Sequence, residues 1–250
     1  MGSISETNGQ VGSVEKPLAR RVALVTGGSR GIGRAIALKL ASLGADVAIC
    51  GRDFGKLSAS EKELAATGAR AVAIVADVTK PGDVAKLVER VEKELQPITI
   101  LVNNAGMGLF GPFHEKCEEE WDRLIDTNLK SVFLVSRAVV PGMIKRGSGD
   151  IINISSLAGK NVFAGGGIYC ASKWGVQGLS GCMAEELRVY GIRVSTVCPG
   201  SVATEFSGRG PKDPTKVLRP ADVAHAVAML ATQGEQSFVS NVELRPLKKA

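Results

Sequence analysis

Tyr169 and Lys173 stand four residues apart in the stretch YCASK, a spacing that puts two side chains on the same face of a helix. A phenol with its ordinary pKa near 10 is a weak proton donor at neutral pH. A neighbouring ammonium favours the phenolate and moves the phenol towards the range useful for general acid and base work. The pair therefore offers proton exchange with an alkoxide or an alcohol oxygen.

A second chemical element lies near the start of the chain. Residues 26–33 read Thr26-Gly27-Gly28-Ser29-Arg30-Gly31-Ile32-Gly33 and follow the apolar run VALV. Glycines allow a tight turn, and they let backbone N–H groups approach a pyrophosphate at the positive end of the next helix. A merely flexible loop would share this composition, but a position between strand and helix supports the phosphate cradle. The spacing is T-G-x-x-x-G-x-G, on which the common G-x-G-x-x-G pattern cannot be laid.

The elements that must position these groups alternate in texture. Short apolar runs begin at Val22, Asp46, Ala71, Ile98, Asp150, Arg193 and Asn241, with little in-and-out alternation. Strands covered on both faces by helices read this way, so the seven runs predict a parallel sheet. Helices are expected over about 31–43, 54–67, 82–95, 117–146, 167–190 and 220–232. Within the third of these, Val84, Leu87, Val88, Val91 and Leu95 recur at steps of three and four and form one buried stripe. Right-handed crossovers then give an α/β, Rossmann-type doubly wound fold, with ligands at the carboxyl ends of the strands. We expect a loose tail over residues 1–20 and a single domain over 21–250.

At this point the chain resembles the short-chain dehydrogenase/reductase family, in its single-domain branch. The resemblance runs from Arg21 onward, and its motifs occur in the family's order: residues 26–33, Asp77-Val78, Asn103-Asn104-Ala105-Gly106, Asn128, Ser156, Tyr169 with Lys173, and Pro199-Gly200 with Thr204. It implies catalytic roles for Asn128, Ser156, Tyr169 and Lys173. Ser156 would bind the substrate carbonyl oxygen; Ser155 is its competitor, and strand alternation points the two to opposite faces. Asn128 would hold a water that links Lys173 to solvent. Read on its own, an asparagine inside a helix equally suits a helix–helix hydrogen bond.

The resemblance also implies a nicotinamide dinucleotide. Gly27, Ser29, Gly31, Ile32 and Gly33 would line its phosphates, Asp77 and Val78 its adenine, and Ala105 and Gly106 leave room for its ribose and nicotinamide; the asparagines also read as structural ties from the fourth strand to its neighbours, with Asn103 the cofactor-side choice. Lys173 would hold the nicotinamide ribose, and Thr204 in the segment with Pro199, Gly200 and Val202 would orient the carboxamide. Asp77 also reads as a turn or helix-capping residue. The second strand ends Cys50-Gly51-Arg52 where an acid usually marks NAD preference. Arg52 and Arg30 can clamp a 2′-phosphate, which selects NADP(H) over two solvated surface arginines.

Composition narrows the remaining classes. The formal charge is +6, but 31 basic residues are dispersed among 25 acids and aromatics are 4%, which speaks against nucleic acid. No apolar run approaches the ~20 residues of a membrane span, and the polar N-terminus lacks a signal core; a cytoplasmic location is expected. Five cysteines without a C-x-x-C pair and two isolated histidines predict no disulfide framework and no metal.

The expected activity is transfer of hydride between NADP(H) and a ketone or alcohol. By resemblance the substrate is a 3-oxoacyl group, presented by an acyl carrier protein to basic residues near Lys145 and Arg146. The ending SNVELRPLKKA looks more like broad reductases of 3-hydroxy acids and small alcohols. The polar, glycine- and proline-rich residues 201–219 read as a segment that closes over substrate. A cofactor-sensing protein would be expected to lack one of the four catalytic residues. The family is usually tetrameric, with helices near 117–146 and 167–190 in one interface.

Overall fold

The computed structural model describes residues 16–207, 213 and 215–248. Seven strands form one sheet: β1 Val22–Thr26, β2 Asp46–Gly51, β3 Ala71–Val75, β4 Ile100–Asn103, β5 Gly149–Ile154, β6 Ile192–Pro199 and β7 Asn241–Leu244. They lie in the order β3-β2-β1-β4-β5-β6-β7, and every pairing is parallel. The strand order reverses between β1 and β4. A crevice opens at such a switch point, outside the carboxyl ends of the strands.

Helices cover both faces, as the apolar central strands require. On one side α1 (Gly31–Ser42), α2 (Phe54–Ala65) and α7 (Pro220–Ala231) bury Ile36, Leu40, Leu57, Leu64, Val223 and Val227 against Val25, Val47, Ile49 and Val102. On the other, α3 (Pro81–Glu94), α5 (Ser131–Arg146) and α6 (Gly167–Leu187) bury Leu87, Val91, Val135, Val139 and Ala184 against Leu24, Ala48, Leu101 and Val194. Alternate residues of each strand feed the two cores, so the sheet is a three-layer sandwich built by side-chain alternation.

Three features depart from the sequence expectations. The helix expected over 117–146 is divided: α4 runs Glu118–Ile125, a π-helical turn follows over Asp126–Lys130, and only then does α5 begin. Helix α6 tightens into a 3₁₀ turn at Arg188–Tyr190, and Gly191 in the left-handed region (φ 70°) leads into β6. The ordered fold also begins ahead of Arg21. A turn at 17–20 carries Leu18, whose N–H donates to the Leu43 carbonyl at 3.0 Å and whose side chain is buried in the α1 core. Residues 1–15 of the expected tail, and 208–212 and 214 of the segment expected to close over substrate, lie outside the described residues. No helix among the described residues is long and apolar enough to cross a membrane.

Candidate active site

The glycine loop joins β1 to α1 and is fixed from the neighbouring strand. Asn104, just past β4, donates from Nδ2 to the carbonyls of Thr26 (2.9 Å) and Gly27 (3.2 Å). The Thr26 hydroxyl accepts from the backbone N–H groups of Asn104 and Ala105, both at 3.0 Å. Gly27 needs a left-handed conformation (φ 65°). Gly33 sits so close to the loop that an added Cβ would stand 2.3 Å from the Gly27 carbonyl oxygen. Glycine is the residue that permits both, and α1 starts with its N–H groups directed at the loop's open side.

That side opens into a cleft of about 1210 Å³. Of the residues singled out from the sequence, Gly27, Ser29, Arg30, Gly31, Ile32, Gly33, Arg52, Asp77, Val78, Ala105, Gly106, Ser156, Tyr169, Lys173, Pro199, Gly200, Val202 and Thr204 all line it. Arg30 and Arg52 stand at the β1–β2 end. Asp53, the acid nearest to them, caps α2 by accepting from the Lys56 N–H at 3.1 Å. Arg30 is paired with Glu205 at 3.1 Å across the cleft. Asp77 makes a turn, its Oδ1 accepting from the N–H (3.0 Å) and hydroxyl (2.8 Å) of Thr79. Burial raises the Asp77 pKa, but these hydrogen bonds with the charges of Arg52 and Lys80 outweigh it and leave the carboxyl below its ordinary range.

Asn103 departs from the expectation of a cofactor contact. It is buried beneath the cleft, donating to Ser136 Oγ at 3.0 Å and Asn153 Oδ1 at 2.8 Å. Asn104 reaches the cleft instead. Asn128 sits in the π-helical turn and is buried. Its Oδ1 accepts from the Met107 N–H (2.8 Å), while its Nδ2 donates to the Met107 carbonyl (2.9 Å) and to Ser172 Oγ (3.1 Å). The side chain thus ties the loop after β4 to α6, the helix that carries Tyr169 and Lys173.

The two serines at the end of β5 are separated by their partners. Ser155 donates to the Lys173 carbonyl at 3.2 Å and so faces the α6 backbone. Ser156 accepts from the Ala158 N–H at 3.1 Å, and its hydrogen bond to Tyr169 draws the phenol's pKa down. Burial is the larger effect and pushes Tyr169 up to about 12. Lys173 is buried too; its Nζ donates to the Ile154 carbonyl at 2.9 Å, and burial pushes its pKa down to about 8. The sequence expectation of a phenol acidified by its neighbour is therefore reversed in this protein: desolvation opposes both charged forms.

Sequence reasoning missed the residues that surround Tyr169. Phe110, Leu157, Asn161, Val162, Phe163 and Phe206 line this part of the cleft. Phe110 meets the Tyr169 ring edge-on with centroids 5.3 Å apart, and Phe206 meets it at 6.0 Å. Apart from Asn161, their only sequence signal is a large apolar residue inside a stretch that otherwise reads as a polar or glycine-rich loop.

Residues 21–214 match the short chain dehydrogenase family. The chain belongs to that family and is an oxidoreductase. Among its relatives, the glycine betaine reductase of Emericella nidulans is 36% identical over 92% of this chain, which spans only 19% of that longer protein. A metagenomic short-chain oxidoreductase solved in complex with NADP is 46% identical, with a TM-score of 0.83 over 93% of this chain and 100% of that one. An alcohol dehydrogenase of Thermococcus sibiricus, complexed with 5-hydroxy-NADP, is 30% identical, with a TM-score of 0.87 over 92% of this chain and 98% of that one.

Proposed function

We propose that the protein is an NADP(H)-dependent carbonyl reductase that also runs in reverse as a secondary-alcohol dehydrogenase. The observation that carries this reading is the convergence, in one cleft, of the α1 N-terminus and two guanidiniums at one end with Ser156, Tyr169 and Lys173 at the other. The cleft volume and donor set fit a phosphorylated dinucleotide: glycine N–H groups and a helix N-terminus for the pyrophosphate, Arg30 and Arg52 for a 2′-phosphate. The NADP and 5-hydroxy-NADP carried by the two structural relatives support the same choice.

When bound, the nicotinamide supplies or accepts the hydride. The chain's own residues handle the proton and the oxygen. In reduction, Tyr169 donates its hydroxyl proton to the carbonyl oxygen, and the Ser156 hydroxyl stabilises the charge that grows there. Lys173 would hold the nicotinamide ribose and return a proton towards Tyr169. Asn128 keeps the Met107 loop and α6 in register, and in the family's manner a water beside it would connect Lys173 to solvent.

A free ketone suits this site better than a carrier-bound acyl group. Arg146 donates to the Ile98 carbonyl, ahead of β4 and so at the end of the sheet away from the cleft. It is not placed to receive an acidic carrier at the cleft mouth. Trp121, Phe133 and Trp174 are exposed on α4, α5 and α6. This apolar surface supports a homo-oligomer built through those helices, which light scattering would size.

The test is to follow oxidation of NADPH and of NADH against a panel of ketones, acetoacetyl-CoA included, with the parent protein and Tyr169→Phe. Turnover with NADPH, little with NADH and a loss of about a hundredfold or more in the variant is the expected result. Tight NADPH binding without turnover of any ketone would instead favour a cofactor-sensing role.

A further inference from the structure

This inference rests on the carbonyl-reductase reading and concerns which carbonyl enters. Aromatic residues make up only 4% of the chain, yet three of its seven phenylalanines line the cleft that holds the reacting phenol. Phe110 comes from the loop after β4, Phe163 from the segment between β5 and α6, and Phe206 from the segment after β6. Phe110 and Phe206 each contact the Tyr169 ring, and Phe163 stands 6.1 Å from Phe110. Three separate segments thus supply rings to one wall.

These rings are not sealed into the core. Phe163 is 46% exposed, Phe206 39% and the adjacent Val162 78%. A wall of aromatic carbon open to water at the mouth of a catalytic cleft is the signature of a ligand-contact surface. Edge-on ring contacts of this kind leave room for another ring to join the same cluster in offset or edge geometry.

The charges of the cleft point the same way. Arg30, Arg52, Asp53, Lys56 and Asp77 belong to its β1–β3 end. Around Tyr169, each charged side chain that lines the cleft among the described residues is engaged. Glu205 pairs with Arg30 at 3.1 Å, Arg245 pairs with Glu243 at 2.9 Å, and Lys173 donates to the Ile154 carbonyl. Among the described residues, a carboxylate or phosphate on the substrate would gain a counter-charge near Tyr169 only by displacing one of these partners.

We propose that the substrate is a neutral aryl ketone whose ring packs in the Phe110, Phe163 and Phe206 wall while its carbonyl oxygen faces Tyr169 and Ser156. The reaction balances as ketone plus NADPH plus one proton giving secondary alcohol plus NADP⁺. Hydride goes from the nicotinamide to the carbonyl carbon, the phenol proton goes to oxygen, and solvent reprotonates Tyr169.

The experiment compares kcat/KM with NADPH for acetophenone, 4-acetylbenzoate and 2-butanone in the full chain and in Phe163→Ala and Phe206→Leu. Both positions are partly exposed, so neither change empties a core, and NADPH affinity measured by fluorescence reports whether the cofactor end is intact. Acetophenone is expected to exceed the other two by about tenfold or more, the scale of discrimination an apolar pocket supplies. Each variant should collapse that ratio towards one. Equal rates for 2-butanone or 4-acetylbenzoate, or a ratio that neither variant changes, would overturn the aryl-ketone assignment and leave the reductase reading standing. No NADPH oxidation with any ketone would overturn both.

Discussion

The Nζ of Lys173 stands 5.9 Å from the centre of the Tyr169 ring and donates to a main-chain carbonyl rather than to the phenol. Both groups are buried, so the ammonium falls to about 8 and the phenol rises to about 12. Across neutral pH Tyr169 keeps its proton and Lys173 gives up its charge as pH climbs past 8. For reduction, kcat/KM for NADPH, which reports the free enzyme, should be level below about pH 8 and then fall with unit slope. A pH–rate profile checks this, and a rate that rises through pH 8 would contradict the assignment.

The same shifts act on stability, with opposite signs. Between about 8 and the ordinary lysine value of 10.5, an unfolded Lys173 holds a proton that the folded one has shed, so its contribution to stability rises with pH. Between the ordinary tyrosine value of 10.0 and about 12, the folded phenol holds a proton that the unfolded one has lost, and stability falls with pH. Urea unfolding at a series of pH values should show the first slope in the parent and lose it in Lys173→Met.

Tyr169→Phe removes the proton donor and keeps the ring that Phe110 and Phe206 pack against. Turnover is expected to drop by about 10²- to 10⁴-fold, the usual contribution of a positioned acid. NADPH affinity should stay within about twofold of the parent, since a tenfold change needs about 1.4 kcal/mol. Titration calorimetry beside steady-state rates separates the two effects.

The sheet was legible because its central runs are apolar on both faces and the helical stretches between them are periodic. What escaped notice required partners distant in sequence. Asn103 and Asn104 are chemically identical neighbours; only their partners, Ser136 on α5 and Asn153 on β5 for the first and the Thr26 and Gly27 carbonyls for the second, decide which one is buried and which reaches the cleft. The phenol's rise follows from burial among rings contributed by separate loops, whereas the spacing of Tyr169 and Lys173 showed only that they share a face. Residues 126–130 read as continuous helix because one added residue leaves the apolar pattern on either side intact.

Arg30 and Arg52 should separate NADPH from NADH. Arg52→Ala is expected to weaken NADPH by roughly ten- to a hundredfold, the scale of a charge-assisted hydrogen bond, and to leave NADH little changed. Glu205 competes with a phosphate for Arg30. Glu205→Gln should therefore tighten NADPH by up to about fivefold, the ceiling for an exposed pair. Dissociation constants for both cofactors in the three proteins test this.

Gly33→Ala would drive its Cβ to 2.3 Å from the Gly27 carbonyl oxygen and 2.4 Å from Asn104 Nδ2. Relief requires the loop to shift off its clamp. A stability loss of about 1 to 3 kcal/mol is expected from the overpacking, visible in the urea midpoint, together with weaker cofactor binding.

The π-helical turn at Asp126–Lys130 behaves as a one-residue insertion that has been kept. Each residue advances a helix by about 100°, so the turn sets α4 and α5 out of phase by that angle while leaving them one rod. Deleting a single residue there would restore an ordinary helix and swing either Asn128 away from Met107 or the Val135 and Val139 stripe away from the sheet. The local irregularity serves two masters, a core that wants one helical phase and a site that wants another. Single-residue length changes in this segment should therefore be tolerated far less well than substitutions.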